Sequence, residues 1–259
     1  DQSGEFLGLA VDGGRVATAG DDSVVRLWDA TDGRLRFSLK GHEGRVRTLA
    51  FSPDGRLLAS AGDDKAVRLW SASDGKPAGL LGGHYEQINS IAFSPDSRLL
   101  VSASNDRTAR VWDLAKPGAP RDVINHSHEF LAAAFSPDGA RLALGGKDNS
   151  ARVYDAASGK ERLVLTGHSG WVMALSFCPR GRRLATSSWD KTARIHDALD
   201  TGAVYLADAP PDGNVYAAAV SPDLGRVLVT SDDGSATLWD ADPRRAVAAL
   251  KGHTDNIVA

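Results

Sequence analysis

His42, Ser60 and Asp64 are the residue types of a nucleophilic triad: a base, a hydroxyl and an orienting carboxylate. They would serve acyl transfer only if the hydroxyl stood exposed beside donors for an oxyanion. The same types return forty-two residues on as His84, Ser102 and Asp106. A reaction needs its nucleophile once, whereas a structural tie is needed in every copy of a repeated element, so the recurrence favours structure. His126 and His128 form an H-x-H pair that could share a metal, yet no cysteine or third histidine stands near them. Arg26, Arg68, Arg110, Arg152 and Arg194 recur at one position and could form a basic stripe for nucleic acid. An Asp just after the Trp of most units favours buried stems with heads near carboxylates instead. No glycine-rich phosphate loop and no catalytic carboxylate pair stands apart from the repeat.

The elements that position these residues are repeated too. The stretch Gly41 to Ser71, GHEGRVRTLAFSPDGRLLASAGDDKAVRLWS, returns from Gly83 as GHYEQINSIAFSPDSRLLVSASNDRTARVWD. Trp28, Trp70, Trp112, Tyr154, His196 and Trp239 mark one position of it, and His42, His84, His126, His168, Pro211 and His253 another. An Asp stands six residues before each Trp-equivalent, at Asp22, Asp64, Asp106, Asp148, Asp190 and Asp233. Such a period means units that bury their faces only against one another. Each unit holds several short apolar runs. In the second they are Arg45 to Ser52, Leu57 to Ser60 and Ala66 to Trp70, followed by a short outer run. The SPDG turn between the first two uses Pro to preset φ and Gly to accept a left-handed conformation.

The pieces GH, SPDG, late Asp and WD resemble those of the WD-repeat family. That resemblance implies an all-β fold, a β-propeller of four-stranded antiparallel blades around a central channel. Six complete blades are expected, at about 4–40, 45–82, 87–125, 129–166, 171–208 and 214–251, in a single domain over 1–259. Residues 252–259 open a further repeat, and the family favours seven blades, although His253 is phased to join the first unit of a six-blade ring. The resemblance also implies a hydrogen-bonded chain inside each blade: His42–Ser60–Asp64–Trp70 and His84–Ser102–Asp106–Trp112. The serine then lies mid-strand between two blades, out of reach of a substrate. Only these two units carry all four residues. Leu144 and Tyr154 depart in the fourth, His196 in the fifth and Pro211 in the sixth, so blades 4 to 6 are expected to be the weaker ones.

Function lies where equivalent positions differ. The third and fifth residues after His, and the residue before the turn Asp, are expected at the top of the channel. They are Arg45, Arg47 and Asp63; Gln87, Asn89 and Asn105; Glu129, Leu131 and Lys147; Trp171, Met173 and Trp189; Asn214, Tyr216 and Asp232. Trp171, Met173, Trp189 and Tyr216, beside Leu131, are expected to form one exposed apolar patch for a partner, with Arg45 and Arg47 orienting it electrostatically.

The bulk composition bounds the partners. A net charge of -3 gives no general attraction to nucleic acid or anionic membrane. No apolar run reaches the roughly 18 residues that span a bilayer. One cysteine, Cys178, permits no disulfide within the chain and fits a reducing, cytoplasmic setting. The chain begins with Asp1, as a fragment or excised domain would. An Ala/Arg/Asp/Gly-rich composition suggests a bacterial source. The expected function is a non-catalytic scaffold, monomeric within a larger chain or complex, that binds a protein or peptide on its top face without a cofactor. The alternatives are a propeller enzyme with a channel active site and a sensor or docking module of a larger bacterial signalling protein.

Overall fold

The SPDG turn shows why each unit folds as it does. Ser52 Oγ donates to the Asp54 carboxylate at 2.6 Å and accepts the Leu57 N–H at 2.9 Å, while the Asp54 carboxylate accepts the Arg56 N–H. Gly55 takes φ +69° and donates to Ser52 O, reversing the chain. In the fifth unit Cys178 Sγ accepts the Arg183 N–H at 3.2 Å, so sulfur fills the role of the serine oxygen.

Every unit becomes four antiparallel strands, each paired with its neighbours in sequence. Blade 1 is β1 (Phe6–Asp12), β2 (Arg15–Gly20), β3 (Val25–Asp29) and β4 (Leu35–Leu39). Blade 2 is β5 (Val46–Phe51), β6 (Leu57–Gly62), β7 (Val67–Ser71) and β8 (Pro77–Leu81). Blade 3 is β9 (Ile88–Phe93), β10 (Leu99–Ser104), β11 (Thr108–Asp113) and β12 (Asp122–Asn125). Blade 4 is β13 (Phe130–Phe135), β14 (Arg141–Gly146), β15 (Ala151–Asp155) and β16 (Glu161–Leu165). Blade 5 is β17 (Val172–Phe177), β18 (Arg183–Ser188), β19 (Thr192–Asp197) and β20 (Val204–Asp208). Blade 6 is β21 (Val215–Val220), β22 (Arg226–Ser231), β23 (Ala236–Asp240) and β24 (Arg245–Leu250). These are blades of an all-β propeller.

The computed structural model describes residues 6–116, 118–199, 204–208, 215–221, 226–231, 235–240 and 245–250, without the side chains of 204–208, 216, 218–220, 239, 240, 245 and 246. The chain divides into two compact units, Asp1–Phe130 and Leu131–Ala259.

In the first unit, blades 1 and 2 share a core. Val46, Leu49, Leu58 and Trp70 of blade 2 meet Ala17, Ala19, Val25, Leu27 and Leu39 of blade 1. Blades 2 and 3 repeat this, with Leu100 and Trp112 set against Ala59, Ala61, Val67 and Leu69. In the second unit, Val172, Leu175 and Leu184 of blade 5 pack on Ala143, Ala151, Val153 and Leu165 of blade 4. One face of a blade is therefore bulky and the other small. This pairing buries both faces of the middle strands, so β14 has no exposed residue and β6 and β10 are buried but for their first residue.

A bulge near the start of the first strand sets the rim. The ladder passes from Val46 to Thr48, from Ile88 to Ser90, from Val172 to Ala174 and from Val215 to Ala217. The skipped residues are Arg47, Asn89, Met173 and Tyr216, the fifth residue after the His position in each unit. A bulge residue leaves the ladder and its side chain is re-aimed.

Candidate functional site

The candidate catalytic residues can be placed by what each atom is able to give. A Trp indole only donates and a carboxylate only accepts, so the two ends of the bonded chain fix its direction. In blade 2, Trp70 Nε1 donates to Ser60 Oγ at 2.8 Å. The Ser60 hydroxyl therefore donates to His42 Nε2, 2.7 Å away. His42 Nδ1–H then donates to Asp64 at 2.9 Å. Blade 3 has the same chain through Trp112, Ser102, His84 and Asp106, with separations of 2.9, 2.7 and 2.8 Å. Ser60 and Ser102 are 0% exposed, so no substrate carbonyl can reach either hydroxyl. The arrangement ties the loop after the second strand to the Gly-His segment.

Electrostatics fit this direction of bonding. Burial pushes the Asp64 carboxyl up, but the His42 N–H and the Glu43 backbone N–H together hold it below the usual carboxylate range. Burial lowers His84, and the pull of Asp106 does not restore it, so the imidazole stays neutral with Nδ1 protonated.

Blade 5 holds a whole chain as well, which differs from the expectation that only blades 2 and 3 do. His168 Nδ1 lies 2.9 Å from Asp190, and Nε2 lies 2.8 Å from Thr186 Oγ1. His196 Nε2 lies 3.0 Å from the same Thr186 oxygen, in the place of the indole. Because the Thr186 proton goes to His168, His196 must donate from Nε2. Its Nδ1 is left buried without a partner. Blade 4 is rewired: Asp148 bonds Ser150 and Arg152, and His126 Nδ1 accepts the His128 N–H at 3.1 Å. Among the described residues no group of three or more His, Cys, Asp or Glu could hold a metal. The sixth unit's Pro211, Asp233 and Trp239 side chains lie outside the described residues.

The recurring arginines pair four residues back with the turn Asp: Arg26 with Asp22, Arg68 with Asp64, Arg110 with Asp106 and Arg152 with Asp148. They also explain the Gly of GH. Gly83 has φ +136°, and a Cβ there would stand 2.5 Å from Arg110 Nη1. Gly167 makes the same approach to Arg194. Blade 4 carries Asn125 at this position, and there Arg152 also reaches Glu161 at 2.8 Å.

Nothing in the sequence marked Arg15 and Arg141, which begin the second strands of blades 1 and 4 where blades 2 and 3 carry Leu57 and Leu99. Arg15 donates to Ala72 O at 2.9 Å and Gly55 O at 2.8 Å, and lies over the Phe51 ring. Arg141 donates to Ala198 O at 3.3 Å and lies over Phe177. Each guanidinium clamps the next blade by its backbone carbonyls. A comparison of the first residue of each second strand finds Arg in blades 1, 4, 5 and 6 and Leu in blades 2 and 3, but it does not show what the guanidinium holds.

At the rim, the residues expected to meet a partner fall into different settings. Arg45 pairs with Asp21 at 3.1 Å, and Arg47 pairs with Asp63. Asn89 Nδ2 donates to Asn105 Oδ1 at 2.7 Å and to Phe130 O, at the start of β13, at 2.8 Å, so this rim side chain is held by its own turn and by the strand that follows. In blade 5 the Trp171 and Trp189 rings stack with centroids 4.3 Å apart. Lys147 Nζ lies 4.5 Å from the Trp171 ring centre. Trp189 is 36% exposed, while Trp171, Met173 and Leu131 are half-buried. The structure brings Trp171 and Trp189 together; the Tyr216 side chain lies outside the described residues. Among the described residues no helix is long and apolar enough to cross a membrane.

The sequence model of one family, described as the IFT122 first β-propeller, matches residues 8–259. No curated protein matches the chain. The family match lends no support to a bacterial source or to a cytoplasmic setting. With the match spanning blades whose GH, SPDG and late-Asp pieces are bonded as above, the chain belongs to the family of the IFT122 first β-propeller, a WD-repeat propeller.

Proposed function

We propose that this propeller is a non-catalytic interaction module whose protein or peptide partner docks on the aromatic shelf of blade 5. The observation that carries this reading is the Trp171–Trp189 stack, with Trp189 36% exposed. Neither indole serves the bonded chain of its blade, whose members are His168, Thr186, Asp190 and His196. Trp residues at a rim are the side chains most enriched among binding hot spots. Covering the outer face of Trp189 would remove apolar surface from water at about 25 cal/mol per Å². Met173, freed from the ladder by the bulge, and Leu131 are proposed to extend the shelf. Tyr216 holds the equivalent of Met173 in blade 6 and is proposed to continue the surface. Arg45 and Arg47 already have carboxylate partners, so any role in orienting a ligand would come from exchanging those pairs.

The reading is tested by pull-down with the wild-type chain and with a Trp171→Ala/Trp189→Ala variant of unchanged melting temperature. The expected result is loss of the captured partner, with affinity reduced at least about tenfold. An equal yield from both chains would refute the reading.

A further inference from the structure

The stack in blade 5 has an order, and the order limits what can dock on it. Lys147 Nζ lies 4.5 Å from the centre of the Trp171 ring. The Trp189 ring lies 4.3 Å from the same centre, tilted from it by 21°. Two groups so close to one ring must take its opposite faces, so the order is ammonium, Trp171, Trp189. Both faces of Trp171 are occupied. The stack therefore ends on the outer face of Trp189, an exposed residue.

One flat face suits one kind of contact. A cage for an alkylated ammonium needs rings set around a point, and these two indoles are nearly parallel. The ammonium at the far end also draws π-density toward itself, which leaves the outer face of Trp189 a poorer seat for a cation. A second flat ring stacks there without that penalty. The charges of the two turns act in the same sense. Asp148 is bonded to Ser150 and Arg152. Asp190 is bonded to His168, Thr192 and the Ser169 N–H, and its side chain is 5% exposed. Both carboxylates are thus spent inside the blades. The exposed charge of the blade 5 turn is Lys191, two residues after Trp189.

We infer that the shelf selects an acidic peptide segment carrying an aromatic side chain. The ring stacks on Trp189, and a flanking carboxylate pairs with Lys191. This rests on the shelf being a docking site and adds the chemistry of the partner to it. An ion pair at an exposed lysine contributes little affinity, so its effect is discrimination between acidic and basic segments. The stacked ring supplies the anchor.

The test follows the indole N–H signals of the full chain by NMR, with the Trp189 signal assigned from Trp189→Phe. Three peptides are titrated: acetyl-Glu-Asp-Tyr-Glu-Asp-amide, acetyl-Lys-Arg-Tyr-Lys-Arg-amide and acetyl-Glu-Asp-Ala-Glu-Asp-amide. The first is expected to bind at the Trp189 signal at least about tenfold more tightly than either of the others. Raising the salt from about 0.05 M to about 0.5 M should weaken it. Lys191 holds φ +68°, a conformation that glycine adopts without strain. Lys191→Gly should therefore keep the fold and weaken the acidic peptide at least about threefold. Equal or tighter binding of the basic peptide overturns the inference and leaves the shelf standing as a docking site. Unchanged affinity in Lys191→Gly, or no shift of the Trp189 signal with the acidic peptide, overturns it as well. The shelf itself falls only if the pull-down yield survives Trp171→Ala/Trp189→Ala, so the two failures are told apart.

Discussion

His196 stands 3.0 Å from the Thr186 hydroxyl, in the place where Trp70 and Trp112 set an indole N–H against a serine. The imidazole supplies the donor that the chain requires but fills less space than an indole, and its Nδ1 stays buried without a partner. An orphaned buried polar atom costs about 1–3 kcal/mol. His196→Trp should therefore stabilise the protein by about 1–2 kcal/mol, through the removed orphan and the added apolar volume. Urea unfolding checks this; a lower midpoint would show that the neighbours have closed the space.

The same residue should make the protein acid-sensitive. Burial, with His168 and Arg194 nearby, lowers the His196 pKa from 6.5 to about 4. Burial likewise lowers His84 and His168. The unfolded chain takes up protons that the folded chain refuses, so this stability is complete above the ordinary histidine range. It is lost as pH falls from 6.5 toward about 4. His196 alone contributes at most about 3 kcal/mol to that loss. Unfolding midpoints near pH 7.5 and near pH 4.5 should diverge less in His196→Trp than in the wild type.

The guanidinium of Arg141 is a clamp that leucine can replace in shape but not in bonding. Blades 2 and 3 carry Leu57 and Leu99 at its position, so Arg141→Leu fits the strand. It removes the bond to Ala198 O and the stacking on Phe177. A loss of about 1–3 kcal/mol is expected in denaturant unfolding. Unchanged stability would mean that the clamp is solvent-exchanged in solution.

Gly83→Ala and Gly82→Ala separate backbone strain from simple loss of a glycine. Gly83 has φ +136° with Arg110 Nη1 2.5 Å from a Cβ, whereas a Cβ at Gly82 meets nothing within 4 Å. Gly83→Ala should cost about 1–3 kcal/mol, and Gly82→Ala should change stability by under about 1 kcal/mol in either direction. Thermal melts of the two variants decide this, and equal effects would contradict the account.

The sequence alone determined the repeat and, with it, the strands. A period of forty-two residues, SPDG turns and apolar runs bounded by Gly and Asp dictate four short strands in each unit, because those are local preferences repeated six times. Ser60 and Asp64 could be taken from a triad to a structural tie on recurrence alone. What the sequence could not supply depends on contacts made after blades stack. The bulges that set Arg47, Asn89 and Met173 apart shift the register by one residue without any marker in composition. The backbone carbonyls held by Arg15 and Arg141 belong to a neighbouring blade and have no residue signature. The stacking of Trp171 on Trp189 joins the residue before one strand to the loop after the next. Only packing settles such relations, because a side chain's partner across a blade interface is fixed by distance in space and not by spacing in the chain.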